Sequence, residues 1–445
     1  MKPLLIYSFI ALFALLNLPV FAKDSQWQLY KRITDLTYQV KTSLGMESPK
    51  ASYGTGFVVD GKKGLLITNY HVVSDVIQKK NNNYQNFVII NGQSFLAKIL
   101  ALDVLRDLAL IKIDFPFSSE IRLRNTAIKE GEKLFSFGIP KDLKLSMVDG
   151  LYNGVIHVGP FSRILMSTPI NSGMSGGPVT DSKGNLVGVN VSTLRGSDNI
   201  SFSVPASYVD LLMKSVPNGE QKINEKNFDT NHQYVQNQIL EGQQAISHDL
   251  KKNEVYESFD IWELPSFGNI MKCWMQKLND QIKQQHEKVI TNAKICEIPD
   301  SLFLSSDDRF QGTLYFSMNL FASTNMQLNE FQYSDYLNNL FNGAKMLRWE
   351  NYVPDEEEPV SSAVECQESV VENAEKLKFQ LIVCTSSYQK YPLIFETYFK
   401  FHVFDPKGKH SLMAFFTLDG FNKENAQSFI INFLKKVRLK KATAR

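Results

Sequence analysis

Three residues of this chain, in the order His71, Asp107 and Ser175, have side chains that together could do covalent chemistry. Ser175 lies in Asn171-Ser172-Gly173-Met174-Ser175-Gly176-Gly177-Pro178-Val179. Glycines in such a stretch take backbone angles closed to other residues and let a ligand approach the main chain. The loop can aim several N–H groups at one point beside a hydroxyl, as a serine nucleophile with an oxyanion hole requires. Taken alone, it reads equally well as a glycine-rich turn with an ordinary serine. His71 follows the apolar run Leu65-Leu66-Ile67, and Asp107 opens the run Leu108 to Ile113. Each by itself reads as a structural residue. In combination they are chemically complementary. A serine hydroxyl is a poor nucleophile at neutral pH and needs a neighbouring base; an imidazole supplies it, and a buried carboxylate fixes the imidazole's tautomer.

These residues must be held by the elements around them, and the pattern there is one of short apolar runs between turns. Phe57-Val58-Val59 precedes the Asp60-Gly61 turn, and Phe87 to Ile90 precedes Asn91-Gly92, a strong hairpin signal. Further runs cover Phe95 to Leu102, Leu134 to Phe137, Val155 to Val158, Leu186 to Val191 and Ile200 to Val204. Ile33 to Leu44 fits a helix or a strand equally. With no long helical period among them, the runs predict an all-β barrel or sandwich over about residues 33 to 215.

Gly54-Thr55-Gly56-Phe57-Val58-Val59, Ile67-Thr68-Asn69-Tyr70-His71-Val72-Val73, Asp107-Leu108-Ala109-Leu110-Ile111-Lys112 and the Ser175 loop resemble the trypsin-like serine proteases, most closely the bacterial HtrA/Deg-type branch. The resemblance covers about residues 50 to 210. It implies a double-barrel fold with the active site in the cleft between two perpendicular β-barrels. It also implies His71 as base, Asp107 as orienting carboxylate and Ser175 as nucleophile, with the backbone N–H groups of Gly173 and Ser175 as oxyanion hole. Asp103 is the one rival carboxylate; Asp107 is preferred because it directly opens the Leu-Ala-Leu strand. Ile170, Val191 and Ile200 are candidates to line the pocket for the residue before the cut, which favours a small or medium apolar side chain. Met174 stands where the family usually carries Asn or Asp. No Ile-Val-Gly-Gly segment follows the leader, and no Gly-Leu-Gly loop of a PDZ domain follows residue 215.

The remainder of the 445 residues frames this region. Lys2, the apolar run Leu4 to Leu18 and Pro19-Val20-Phe21-Ala22 form a secretory signal peptide over residues 1 to 22. After its removal no membrane span is expected, and the destination is the periplasm or the exterior. Net charge is +2, so bulk electrostatics suggest no nucleic-acid partner; the basic tail from Lys435 to Arg445 reads as a solvated chain end. Residues 23 to 216 form the expected protease domain, and 217 to 254 a polar linker and helix. Residues 255 to 445 form an α+β domain, with helices over Glu330 to Phe341 and Lys423 to Val437 and an acidic loop from Pro354 to Pro359.

Cys273, Cys296, Cys366 and Cys384 all lie in this last domain. Export favours disulfides. The local pairs Cys273–Cys296 and Cys366–Cys384 are preferred because each closes a short loop. No Cys-x-x-Cys, nucleotide loop or metal cluster is present, so no cofactor and no metal are expected. The sequence therefore predicts an exported serine endopeptidase acting on polypeptides. The alternative is a catalytically restrained or inactive protease fold that binds partners through its C-terminal domain. An esterase is disfavoured, because its histidine would come last in the chain.

Overall fold

The computed structural model describes residues 20–441 except 49, 80–82, 141–142, 159–160, 194–199, 218–220, 253, 268–270, 277–288, 298–301, 304–312, 315, 344–363 and 389. The expected signal peptide up to Pro19 and the acidic loop from Pro354 to Pro359 lie outside the described residues. The chain divides into two compact units, with the principal break between Lys226 and Asn227.

The first unit opens with α1 (Val20–Thr34), whose Leu29 and Ile33 are buried. The ambiguous stretch after it resolves into the end of this helix and β1 (Thr37–Ser43). The first closed barrel has six strands in the order β1, β2 (Ala51–Asp60), β3 (Leu65–Thr68), β6 (Leu108–Ile113), β5 (Gln93–Asp103) and β4 (Gln85–Ile90). Asn91 and Gly92, at φ 50° and 78°, close the β4–β5 hairpin. Two successive positive φ values are what a type I′ turn needs, which accounts for the Asn-Gly pair.

The second closed barrel also has six strands, in the order β10 (Pro178–Thr180), β11 (Leu186–Thr193), β12 (Ser201–Pro205), β9 (Phe161–Met166), β8 (Ser146–Val158) and β7 (Lys133–Gly138). Strands β9 and β10 carry no clear alternation and were not foreseen. Nor was helix α4 (Ala206–Lys214), which buries Ala206, Val209 and Leu212. Within the polar stretch read as linker, Ile223 is fully buried and the Glu225 carboxylate accepts the Ile99 N–H at 2.7 Å. That bond satisfies a donor where the β5–β6 register shifts. This part of the stretch is packed structure, not a free tether.

The second unit is more sheet-rich than expected. Its seven-stranded antiparallel sheet runs β15 (Lys272–Gln276), β16 (Val289–Glu297), β19 (Phe316–Asn325), β23 (His410–Phe421), β22 (Tyr391–Phe404), β21 (Lys378–Tyr388) and β20 (Glu365–Glu372). Helices α5 (Phe228–Lys252) and α7 (Lys423–Lys436) share one core with it, rich in phenylalanine. Phe399 stacks on Phe416 at 4.1 Å, and Phe416 meets Phe433 of α7 edge-on at 4.8 Å. α7 begins where the Asn422 side chain accepts the Asn425 N–H at 2.7 Å, a side-chain N-cap. On the other face α6 (Glu330–Gly343) packs Tyr333, Tyr336 and Leu337 against Met413 and Phe415. No described helix is long and apolar enough to cross a membrane.

The cysteines pair Cys273 with Cys296 and Cys366 with Cys384. Each bond joins residues directly opposite each other, and each ties an edge strand to its inner neighbour. Both edge strands, β15 and β20, expose every side chain. They bury nothing that would keep them paired, so the covalent link supplements the backbone ladder. Closing a loop of this length contributes about 3 kcal/mol. Replacing Cys366 and Cys384 by Ser should therefore bring amide exchange in 365–372 close to that of a loop, leaving exchange in β22 and β23 unchanged.

Burial pushes the His402 imidazole down from 6.5 to about 4. The unfolded chain then binds a proton below pH 6.5 that the folded chain refuses until about pH 4. Stability is accordingly lost as pH falls through that window, by up to about 3 kcal/mol for a shift of this size. His402→Gln should flatten that part of a denaturation-versus-pH profile between pH 7 and 4.

Candidate active site

His71 lies in the short helix α2 (Tyr70–Val73) that follows β3. Tyr70 anchors this helix: it is fully buried, and its hydroxyl accepts the Gln78 side-chain amide at 2.7 Å. Burial pushes the phenol's pKa up, so it stays neutral.

Asp107 stands at the turn into β6 with φ 59°, a left-handed conformation uncommon for a non-glycine residue. Its surroundings hold it there. Its carbonyl accepts the Tyr70 N–H at 3.2 Å and the Asn69 side-chain amide at 2.8 Å, and its own N–H donates to Val104 O at 3.3 Å. Its carboxylate is then divided between two donors. Oδ1 accepts the His71 backbone N–H at 2.9 Å, and Oδ2 lies 2.6 Å from His71 Nδ1. Asp107 is 8% exposed, so both contacts act with little water between them. The rival Asp103 instead pairs with Arg106 at 2.9 Å.

The serine loop is two consecutive turns. Met174 N–H donates to Asn171 O at 3.0 Å with Gly173 at φ 92°, and Gly177 N–H donates to Met174 O at 3.0 Å with Gly176 at φ 83°. A positive φ at the third residue is the mark of a type II turn. This explains why glycines recur three positions apart, with Ser175 as the second residue of the second turn. Gly177 is needed for a different reason: a Cβ there would sit 2.0 Å from Phe137 O. Met174, in place of the family's polar residue, is buried and packs its side chain against Gly138.

The two barrels interlock around these turns. Thr55 N–H in the middle of β2 donates to Ser175 O at 2.8 Å. A Cβ on Gly176 would lie 2.2 Å from Thr55 O and 2.5 Å from Thr68 Oγ1. Thr68 and Asn69 lead directly into His71, so this close approach carries the serine to the histidine helix. The Ser175 hydroxyl donates to Val191 O at 3.3 Å.

The three residues proposed from sequence for the specificity pocket have separate surroundings. Ile170 is half-buried against the second-barrel core of Leu134, Ile164 and Val179. Val191 presents its carbonyl to Ser175, and Ile200 is half-buried just before β12. Thr55, Asn69 and Asn190 are contacts that sequence reasoning did not single out. Thr55 and Asn69 lie within the recognised motifs, but only their three-dimensional partners show what they hold.

Residues 54–189 match the family model described as "Trypsin-like peptidase domain". The chain is 33% identical over 166 residues to the protein named "Serine protease HTRA1A" of Danio rerio, covering 35% of this chain and 33% of that protein. It is 31% identical over 165 residues to the "Probable periplasmic serine endoprotease DegP-like" of Chlamydia trachomatis, covering 34% of this chain and 31% of that one. The solved structure titled "Crystal structure of Deg5" aligns at TM-score 0.38 and 24% identity, over 44% of this chain and 95% of that one. The first unit is thus similar to the trypsin-like proteases of the HtrA type. The chain spans only about a third of the length of these two curated relatives.

Gly176→Ala would combine a positive φ with a backbone clash, so it should cost about 2–5 kcal/mol in chemical denaturation. Gly92→Ala is the control: its φ is also positive, but nothing lies within 4 Å, and about 1 kcal/mol is expected.

Proposed function

We propose that the protein is an exported serine endopeptidase that hydrolyses peptide bonds through Ser175, His71 and Asp107. The observation that carries this reading is the 2.6 Å contact between Asp107 Oδ2 and His71 Nδ1 beside the double turn that bears Ser175. With Nδ1–H donating to the carboxylate, Nε2 is left as the basic nitrogen. The hydroxyl turns from Val191 O toward that nitrogen, which takes its proton as Oγ attacks the scissile carbonyl. The N–H groups of Gly173 and Ser175 receive the developing oxyanion. His71 then returns the proton to the leaving amine, and water admitted to the same nitrogen hydrolyses the acyl-enzyme. Asp107 stays ionised throughout and steadies the imidazolium.

Support for export comes from the basic and apolar start of the chain together with two disulfides, which persist in oxidising compartments. The periplasm is the proposed location. Ile170, Val191 and Ile200 favour a small or medium apolar residue before the cut. Preferred cleavage after Lys or Arg in a peptide library would overturn that preference.

The test is fluorophosphonate labelling of the full chain. Labelling is expected in the wild type and lost in Ser175→Ala. Asp107→Asn should retain the fold and lower kcat by about 10⁴-fold, since the imidazole loses its fixed tautomer. Absence of wild-type labelling would move the reading to a protease fold whose work is binding.

A further inference from the structure

The oxyanion donors of the proposed reaction are backbone amides, so their aim depends on what holds the peptides around them. Two fully buried polar side chains do this, one from each barrel. Thr55 Oγ1 donates to Gly173 O at 2.7 Å while accepting the Ile139 N–H at 2.9 Å. Its carbonyl is held in turn by Thr68 Oγ1 at 2.8 Å. The peptide between Gly173 and Met174 is therefore pinned at both ends, by Thr55 at its carbonyl and by Asn171 O at its N–H.

Asn190 secures the next peptide. Its side-chain nitrogen donates to Phe137 O at 2.9 Å and reaches Met174 O at 3.4 Å, while its side-chain oxygen accepts Ser136 Oγ at 2.8 Å. Its backbone accepts the Gly176 N–H and donates to Gly177 O, both at 2.9 Å. A peptide's C=O and N–H point in opposite directions. Drawing Met174 O inward toward Asn190 and Gly177 N–H thus turns the Ser175 N–H outward, toward the site of attack.

We infer that Thr55 and Asn190 are positioning residues that hold the Ser175 loop with its two oxyanion donors already aimed. The inference rests on the serine-protease reading for its catalytic consequence, but not for its structural one. A turn with glycine at its third residue has few steric restraints of its own. Without the buried hydroxyl and amide, the peptides on either side of Met174 lose their anchors: the Ser175 N–H can turn out of line, and the Gly173 φ that aims its own N–H is no longer fixed. Such a loss would lower turnover without changing how substrate binds.

The test compares Thr55→Val, which keeps the volume and removes the hydroxyl, with Thr55→Ser, which restores it. In the full chain, protection of the Met174 and Gly177 amides from exchange should fall at least about tenfold in Thr55→Val and recover in Thr55→Ser, with Leu108–Ile113 unchanged. On a peptide amide substrate, kcat should fall about a hundredfold in Thr55→Val with KM within about twofold, and recover in Thr55→Ser. Unchanged loop protection in Thr55→Val, or a failure of Thr55→Ser to restore it, would overturn the inference. Should Thr55→Val loosen Leu108–Ile113 as well, Asn190→Leu is read by the same criterion at Gly176 and Gly177. A wild type that neither labels nor cleaves would remove the protease reading, while the exchange data would still decide whether these side chains hold the loop.

Discussion

The carboxylate of Asp107 is the point on which the proposed site depends. It is nearly buried, and burying a charge is costly unless hydrogen bonds replace the lost water. Here one oxygen takes the His71 backbone N–H and the other faces its ring nitrogen. The same residue's carbonyl ties down Tyr70 and Asn69. A single left-handed residue thereby fixes the helix that carries the base, its ring orientation and the entry to β6. A carboxylate four residues earlier, at Asp103, instead takes the Arg106 backbone N–H and guanidinium.

The serine is brought to this base by close packing of backbone on backbone. Gly176 sits where a Cβ would meet Thr55 O at 2.2 Å, and Gly54 where one would lie 3.2 Å from Ser175 O. Their role is to let two barrels approach until Thr55 can reach the carbonyls of both Ser175 and Gly173. His71 and Ser175, on opposite barrels, are held to the tolerance of a packed interior, which transmits small displacements and accommodates few. The hydroxyl and amide buried in that interior, Thr55 and Asn190, make the arrangement specific, because an apolar core alone would not select one peptide orientation over its flip.

The second unit solves a different problem with different means. Its sheet is covered on one face by α5 and α7 and partly on the other by α6, and its core is built on stacked and edge-on phenylalanines. The sheet ends in two strands with no buried side chain, and unprotected edges invite pairing with other chains. A disulfide at each edge binds the outer strand to its neighbour. The cysteines lie where the sheet has least packing to offer.

Much of this was legible in the residues. The double turn around Ser175 and the Asn91-Gly92 hairpin are set by local steric rules, in which glycine and asparagine best tolerate the required φ, and the strand before His71 by its apolar run. The helix over Lys423 to Val437 was visible because its apolar residues recur on one face. Strands β9 and β10 escaped notice because their apolar residues do not alternate, being held by barrel closure instead of by a solvent-facing side. The polar stretch around Ile223 read as linker because its one buried apolar side chain stands alone among polar residues and its half-buried Glu225 carboxylate is held by the Ile99 N–H, more than a hundred residues away. So it was at the site as well. The sequence by itself determined which groups could react, since nucleophile, base and carboxylate are matters of residue type and order. Only the tertiary structure decided that Asp107 and not Asp103 faces His71, and that Thr55 and Asn190 hold the loop. Those choices are made by buried hydrogen bonds between segments far apart in the chain, where local propensity has no influence.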